Sequence, residues 1–140
     1  ILARFVPELD GIQELLKRKQ IGYASVRGGV SNRAEEIRRF QEDADCCVFV
    51  GQIAAAGLGI TLTAASTMVF YSLDYSMSNF EQAKARIHRV SQTENCLYIY
   101  LTAKHTVDTK ILRALRDKAD LAKMLVDDYR NGINPFQEGV

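Results

Sequence analysis

Residues 22–50 read GYASVRGGVSNRAEEIRRFQEDADCCVFV, and the fold class can be taken from this one stretch. Two short apolar runs, Gly22 to Arg27 and Cys46 to Val50, have the length and branched or aromatic content of buried strands. Between them the pattern changes period. Asn32 followed three residues later by Glu35 resembles a capping pair, and it opens a helix that turns Ile37 and Phe40 inward and Arg33, Arg38 and Arg39 outward. A strand, a crossover helix and a second strand make one unit of a parallel sheet.

The same alternation continues on both sides. Upstream, an apolar run ending near Phe5 leads into a helix over Pro7 to Gln20, with Pro7 in the first turn and Leu9, Ile12, Leu15 and Leu16 on one side. Lys17, Arg18 and Lys19 stand near its negative end. Downstream, Thr67 to Ser72 and Asn95 to Thr102 are strand candidates. Ser78-Asn79-Phe80-Glu81 reads as a capping box that starts a helix between them. Thr106 caps a last helix with an Ile111, Leu115, Ala119, Ala122 stripe, which Asn131-Gly132 and Pro135 stop. The expected order is β-α-β-α-β, a loop with short helices, then β-α-β-α. Connection handedness makes this a three-layer α-β-α open parallel sheet, placed at 1–126 with a tail at 127–140.

Composition narrows the class. The chain has 140 residues, 47% apolar and 25% charged, with two prolines, which suits one compact core and excludes a disordered polymer. Eighteen basic against seventeen acidic residues leave a net charge of +1, so any nucleic-acid site must be a local basic patch. No apolar run approaches the roughly 18 residues that span a bilayer, and the start at Ile1 lacks the features of a signal peptide. The expectation is a soluble, intracellular domain with no membrane partner, and the start at Ile1 suggests that it was cut from a longer chain. Cys46, Cys47 and Cys96, with His88 and His105, show no metal-ligand spacing and read as reduced, mostly packed side chains.

An open α/β sheet binds ligands at the carboxyl ends of its strands, so the chemistry belongs in the loops that follow them. After the third strand, residues 51–65 read GQIAAAGLGITLTAA, where Gly57 and Gly59 let backbone amides approach a phosphate or sugar. A dinucleotide fingerprint fails here, because its third glycine is replaced by Leu62. A tight turn packed on a helix explains the stretch equally well. On the helix after Ser78, Gln82, Arg86 and Arg89 share one face at 100° per residue, away from Phe80, Ala83, Ile87 and Val90. Residues 82–92 carry Lys84, Arg86 and Arg89 and no acid. Two surface arginines are often only a solvated face, but this spacing suits a polyanion, and guanidinium neutralises charge on a transferred phosphoryl well.

The string Q-A-x-x-R-x-x-R-x-x-Q from Gln82 to Gln92, preceded by Leu73-Asp74-Tyr75-Ser76 and by the 57–65 stretch, resembles motifs VI and V of superfamily 2 helicases. It is most similar to Swi/Snf-type DNA translocases, including bacterial and phage-borne relatives. Arg4-Phe5 resembles motif IV; Gly28-Gly29-Val30-Ser31 with Arg33, Ile37, Arg38, Arg39 and Phe40 resembles the family's glycine turn and following helix. The resemblance runs in order over about residues 1–112. Thr61 stands where many relatives have asparagine, Ser91 where they have glycine, and Tyr75 where tryptophan is common.

The resemblance implies the second RecA-like lobe of an ATP-dependent motor on double-stranded DNA. ATP and Mg²⁺ would be held mainly by an N-terminal lobe of the same polypeptide, because the G-x-x-x-x-G-K-[ST] loop is nowhere in this sequence. The fragment alone is expected not to hydrolyse ATP. Arg86 and Arg89 would be catalytic, with Arg89 the preferred arginine finger, and Gln82, Gly57 and Gly59 would serve the nucleotide. Arg4, Arg27, Arg33, Thr61 and Thr63 are the DNA-facing candidates, each an ordinary surface residue on its own. The implied location is the cytoplasm of a bacterium or phage host, near the nucleoid, or the nucleus if the chain is eukaryotic. Two alternatives stay open: the same lobe from an RNA helicase or restriction-enzyme motor, and a non-catalytic RecA-like binding module.

Overall fold

A computed structural model describes residues 1–28, 31–54 and 59–130, the side chains of 121–125, 128 and 129 aside. The elements are β1 Leu2–Ala3, α1 Val6–Arg18, β2 Gly22–Val26, α2 Arg33–Glu42, β3 Cys46–Gln52, β4 Thr67–Phe70, α3 Met77–Lys84, β5 Leu97–Tyr100 and α4 Val107–Arg130. Their order matches the alternation in the sequence. The five strands form one sheet in the order β2-β3-β1-β4-β5, and every pair is parallel.

This strand order dictates which face each helix covers. The connection from β1 to β2 runs one way along the sheet, whereas those from β2 to β3, β3 to β4 and β4 to β5 run the other way. Right-handed crossovers therefore put α1 on one face and α2 and α3 on the opposite one. Burial agrees: α1 packs Leu9, Ile12 and Leu16 against Ala3 and Val50. On the other face Phe40, Phe80, Ala83, Ile111 and Leu115 pack against Leu2, Phe49 and Phe70. Leu2 and Ala3, neighbours in β1, serve opposite cores because strand side chains alternate. The fold is the expected three-layer α-β-α sheet of RecA-like type.

A stack of three rings fixes α3. Phe70 of β4 lies 4.3 Å from Phe80 of α3 and 5.2 Å from Tyr100 of β5, centroid to centroid, with the planes nearly parallel. Gly22 is required by a close approach, since a Cβ there would lie 1.9 Å from the Asp45 carbonyl oxygen.

The two sheet edges differ. On β2, the Ser25 N–H donates to Glu36 Oε2 at 2.7 Å, and Arg39 Nη2 donates to the Tyr23 carbonyl. Side chains of α2 thus occupy groups that an incoming strand would use. On the far edge, Leu97, Ile99 and Leu101 are exposed; they alternate with Tyr98 and Tyr100, which pack on the opposite core, and so lie on the face of α1 but beyond the strands that α1 covers.

Several local expectations are corrected. Leu15 is 44% exposed, outside the buried stripe of α1. Helix α1 ends at Arg18, and Gln20 takes a left-handed φ of 57°. Helix α3 begins at Met77 with Ser76 as its cap, whose hydroxyl accepts from the Asn79 N–H at 3.2 Å. Ser78 lies inside the helix, where its hydroxyl accepts from Gln82 Nε2. The Thr106 hydroxyl accepts from the Asp108 N–H at the start of α4, as its capping role requires. Helix α4 runs to Arg130, across the boundary placed at 126/127. The stop signals at Asn131, Gly132 and Pro135 lie outside the described residues, as does the side chain of Ala122. Among the described residues, no helix is long and apolar enough to cross a membrane.

Candidate nucleotide-facing arginine site

Helix α3 ends at Lys84, before either arginine, so Arg86 and Arg89 stand on a turn and not on a continuing helical face. The change redirects one of them. Arg86 is 8% exposed, beside Gly51, Gln52, Ile60 and Leu62 at the carboxyl ends of β2 and β3, where the sequence pattern expected an outward side chain. Its position is fixed by its own backbone: the Arg86 N–H donates to the Ala83 carbonyl at 3.0 Å, and the Arg86 carbonyl accepts from the Leu62 N–H at 2.9 Å.

Buried guanidinium is costly unless something anionic faces it. Arg86 Nε has no hydrogen-bond partner. Burial, joined by the like charges of Arg89 and Arg33, lowers the Arg86 pKa. Among the described residues, neither Arg86 nor Arg89 is in an ion pair with a carboxylate. Arg89 is exposed, and it reaches back with Nε to the Ala85 carbonyl at 3.3 Å and with Nη2 to the Ile60 carbonyl at 3.4 Å. These contacts are long enough to yield to a stronger acceptor.

The glycine loop borders the same place. Gly59 has a φ of +72°, in the left-handed region, with open space where a Cβ would stand. Gly57 lies outside the described residues. Thr61 is half-exposed next to Ile60; Thr63 is half-exposed too, and its hydroxyl accepts from Gln41 Nε2 at 3.4 Å. Gln82 is exposed and donates to Ser78, so its side chain stays on α3.

The remaining candidates are spread along the strand ends. Arg4 follows β1, is exposed, and holds its guanidinium 5.0 Å from the Phe5 ring centroid. It also acts on Asp74: burial alone would raise that carboxyl, but bonds from Asn79 and the Ser76 amide, with the Arg4 charge, hold it below the ordinary range. Arg27 follows β2 and pairs with Asp10 at 2.9 Å. Arg33 opens α2, half-buried, where its charge is felt by Arg86. The charges of Arg33 and Arg89 are thus both felt at Arg86.

Two glutamines outside the candidate set brace the segment after Gly59. Gln41 of α2 accepts from the Ala64 N–H at 2.8 Å, and Gln92 donates to carbonyls of both the loop and the turn. Gln92 could have been noticed as the last residue of the Gln82 to Gln92 string. Nothing in the sequence marks Gln41.

A desolvated guanidinium with an unused donor, where the like charges of Arg89 and Arg33 are also felt, suits the phosphates of a nucleotide. Among the described residues, no three His, Cys, Asp or Glu side chains cluster as a metal-binding group.

The helicase conserved C-terminal domain profile matches residues 1–91. The chain belongs to this family. Its relatives include chromatin-remodeling ATPases and a SWI/SNF-related regulator of chromatin. The chromatin-remodeling ATPase INO80 of Drosophila melanogaster is 32% identical over 128 residues, covering 90% of this chain and 8% of that protein. A SWI/SNF-related, matrix-associated, actin-dependent regulator of chromatin of Mus musculus, subfamily A containing DEAD/H box 1, is 33% identical over 139 residues, or 96% of this chain and 14% of the relative. The chain thus spans a small part of these relatives. The crystal structure of the C-terminal part of the Fun30 ATPase domain superposes with a TM-score of 0.77 at 26% identity, over 81% of this chain and 38% of that one. The relatives named here are eukaryotic and give no support to the expected bacterial or phage-borne branch. Residues that serve phosphate chemistry are set by that chemistry and carry no mark of the organism.

Proposed function

We propose that this helicase C-terminal lobe is the second motor lobe of an ATP-dependent translocase on double-stranded DNA. Its arginines meet ATP held with Mg²⁺ on an N-terminal RecA-like lobe of the same polypeptide. The observation that carries the reading is the desolvated Arg86 guanidinium, with an unused Nε, at the carboxyl end of the sheet beside Arg89 and Arg33. A desolvated guanidinium with an unused donor is stabilised by an anion such as phosphate, and a donor already in place needs no rearrangement when charge develops. Arg89, exposed and held only by long bonds to carbonyls, is the group free to act as the finger when the lobes close. Arg33 belongs with this phosphate side.

Arg4 and Arg27, with Thr61 and Thr63, remain the candidates for the DNA backbone. Contacts of that kind are indifferent to sequence and weaken steeply with salt. Relatives named as chromatin-remodeling ATPases favour duplex DNA over RNA and, of the two locations expected, the nucleus. The lobe alone, without a phosphate-cradling loop, does not hydrolyse ATP.

The test is ATP hydrolysis by the full-length protein with and without duplex DNA, beside Arg89→Ala. An arginine finger contributes on the order of 10³ to 10⁵ in turnover, so the variant should lose about a thousandfold. Hydrolysis that is stimulated by DNA and indifferent to the substitution refutes the finger assignment. Stimulation by RNA in place of duplex DNA refutes the substrate.

A further inference from the structure

The turn that carries Arg86 and Arg89 and the segment that carries Thr61 and Thr63 meet at one side chain. Gln92 Nε2 donates to the carbonyls of Ala65 at 2.8 Å, Ile87 at 3.2 Å and Thr63 at 3.3 Å, while its Oε1 accepts from the Glu94 N–H at 3.0 Å. A carboxamide nitrogen has two hydrogens, so three carbonyls share them, and the orientation is fixed because a flipped amide would face oxygen with oxygen. The side chain is half-buried, so water is a poor substitute for these bonds. Two further links join the same strips of chain: Leu62 N–H to the Arg86 carbonyl, and Arg89 to the Ile60 carbonyl. Of the three, only the Gln92 link is made by a side chain that is neither a phosphate ligand nor a DNA contact.

We infer that Gln92 is a positioning residue that couples the two functions of the lobe, transmitting the state of the threonine segment to the arginine turn. The inference rests on the motor reading above. Gln41 supplies the control. Its carboxamide holds the same segment, through the Ala64 N–H and the Thr63 hydroxyl, but ties it to α2 and not to the arginine turn. If stiffness of the segment were all that mattered, losing either glutamine would have the same consequence.

The experiment measures hydrolysis by the full-length protein with saturating duplex DNA and without DNA, for the parent, Gln92→Met and Gln41→Met. Methionine keeps the volume and removes the donors. The ratio of the two rates should fall about tenfold in Gln92→Met, within the usual range of coupling between sites, and stay within about twofold in Gln41→Met. An unchanged ratio in Gln92→Met, an equal fall in both variants, or both rates of Gln92→Met dropping in proportion would each overturn the coupling role. Should Gln92→Met not fold, Gln92→Asn, one methylene short of the carbonyls, is scored by the same ratio and must also lower it. A parent that shows no stimulation by DNA overturns the motor reading and this inference with it. The failure is then visible in the parent before any variant is compared.

Discussion

Arg86 carries a conflict between stability and activity. Its guanidinium is desolvated, its Nε makes no hydrogen bond, and its neighbours include two like charges. Replacing a poorly compensated buried charge by an apolar group of similar size is often neutral or stabilising, by about 1–4 kcal/mol. Arg86→Met should therefore raise the midpoint of urea unfolding while abolishing ATP hydrolysis in the full-length protein. A lower midpoint would mean that the guanidinium is structural. Both arginines were legible in the sequence, from their spacing and the missing acids, but their different exposures were not. Placing residues at 100° per step assumes that the helix continues, and α3 stops at Lys84. Arg33 was legible as a DNA-facing candidate, but the reach of its charge to Arg86 was not, because the two residues stand more than fifty positions apart in sequence.

At the level of elements, the start of α3 shows how a local pattern can be met twice. Ser78 and Glu81 satisfy the capping-box spacing, yet Ser76 makes the cap, and Asp74 secures it by accepting from the Ser76 N–H at 2.8 Å and Asn79 Nδ2 at 3.0 Å. The deciding bonds come from the loop after β4, which spacing alone does not weigh. Ser76→Ala should cost about 1 kcal/mol. Ser78→Ala, which removes only an exposed side-chain contact, should change stability by less than about 0.5 kcal/mol. Chemical denaturation of the two variants distinguishes the caps, and equal losses would return the role to Ser78. The order of the strands and main helices, by contrast, was readable, since strands that feed a core need short apolar runs whatever the loops do.

On the scale of the whole molecule, the handedness argument predicted helices on both faces. It did not foresee that α1 would be alone on its side, because strand order within the sheet depends on contacts distant in sequence. Helix α3 and β5 are joined at Tyr98, whose hydroxyl donates to the Lys84 carbonyl at 3.4 Å just before the arginine turn. Burial first, then Cys96 and neighbouring charges, push the Tyr98 pKa from 10.0 up to about 12. The unfolded chain then releases this proton before the folded one does, so the contribution is intact below about pH 10 and lost as pH rises toward about 12. Melting temperature against pH should fall more steeply across that window for the parent than for Tyr98→Phe. Parallel curves would show that the phenol is not held neutral.

The unequal treatment of the two sheet margins limits how copies of this lobe can associate. Growth of a cross-strand filament needs two adhesive margins on every subunit, and Glu36 and Arg39 have already saturated groups along one of them. Any pairing through the Leu97–Tyr100 margin is consequently self-limiting: it closes at two subunits and leaves nothing for a third to extend.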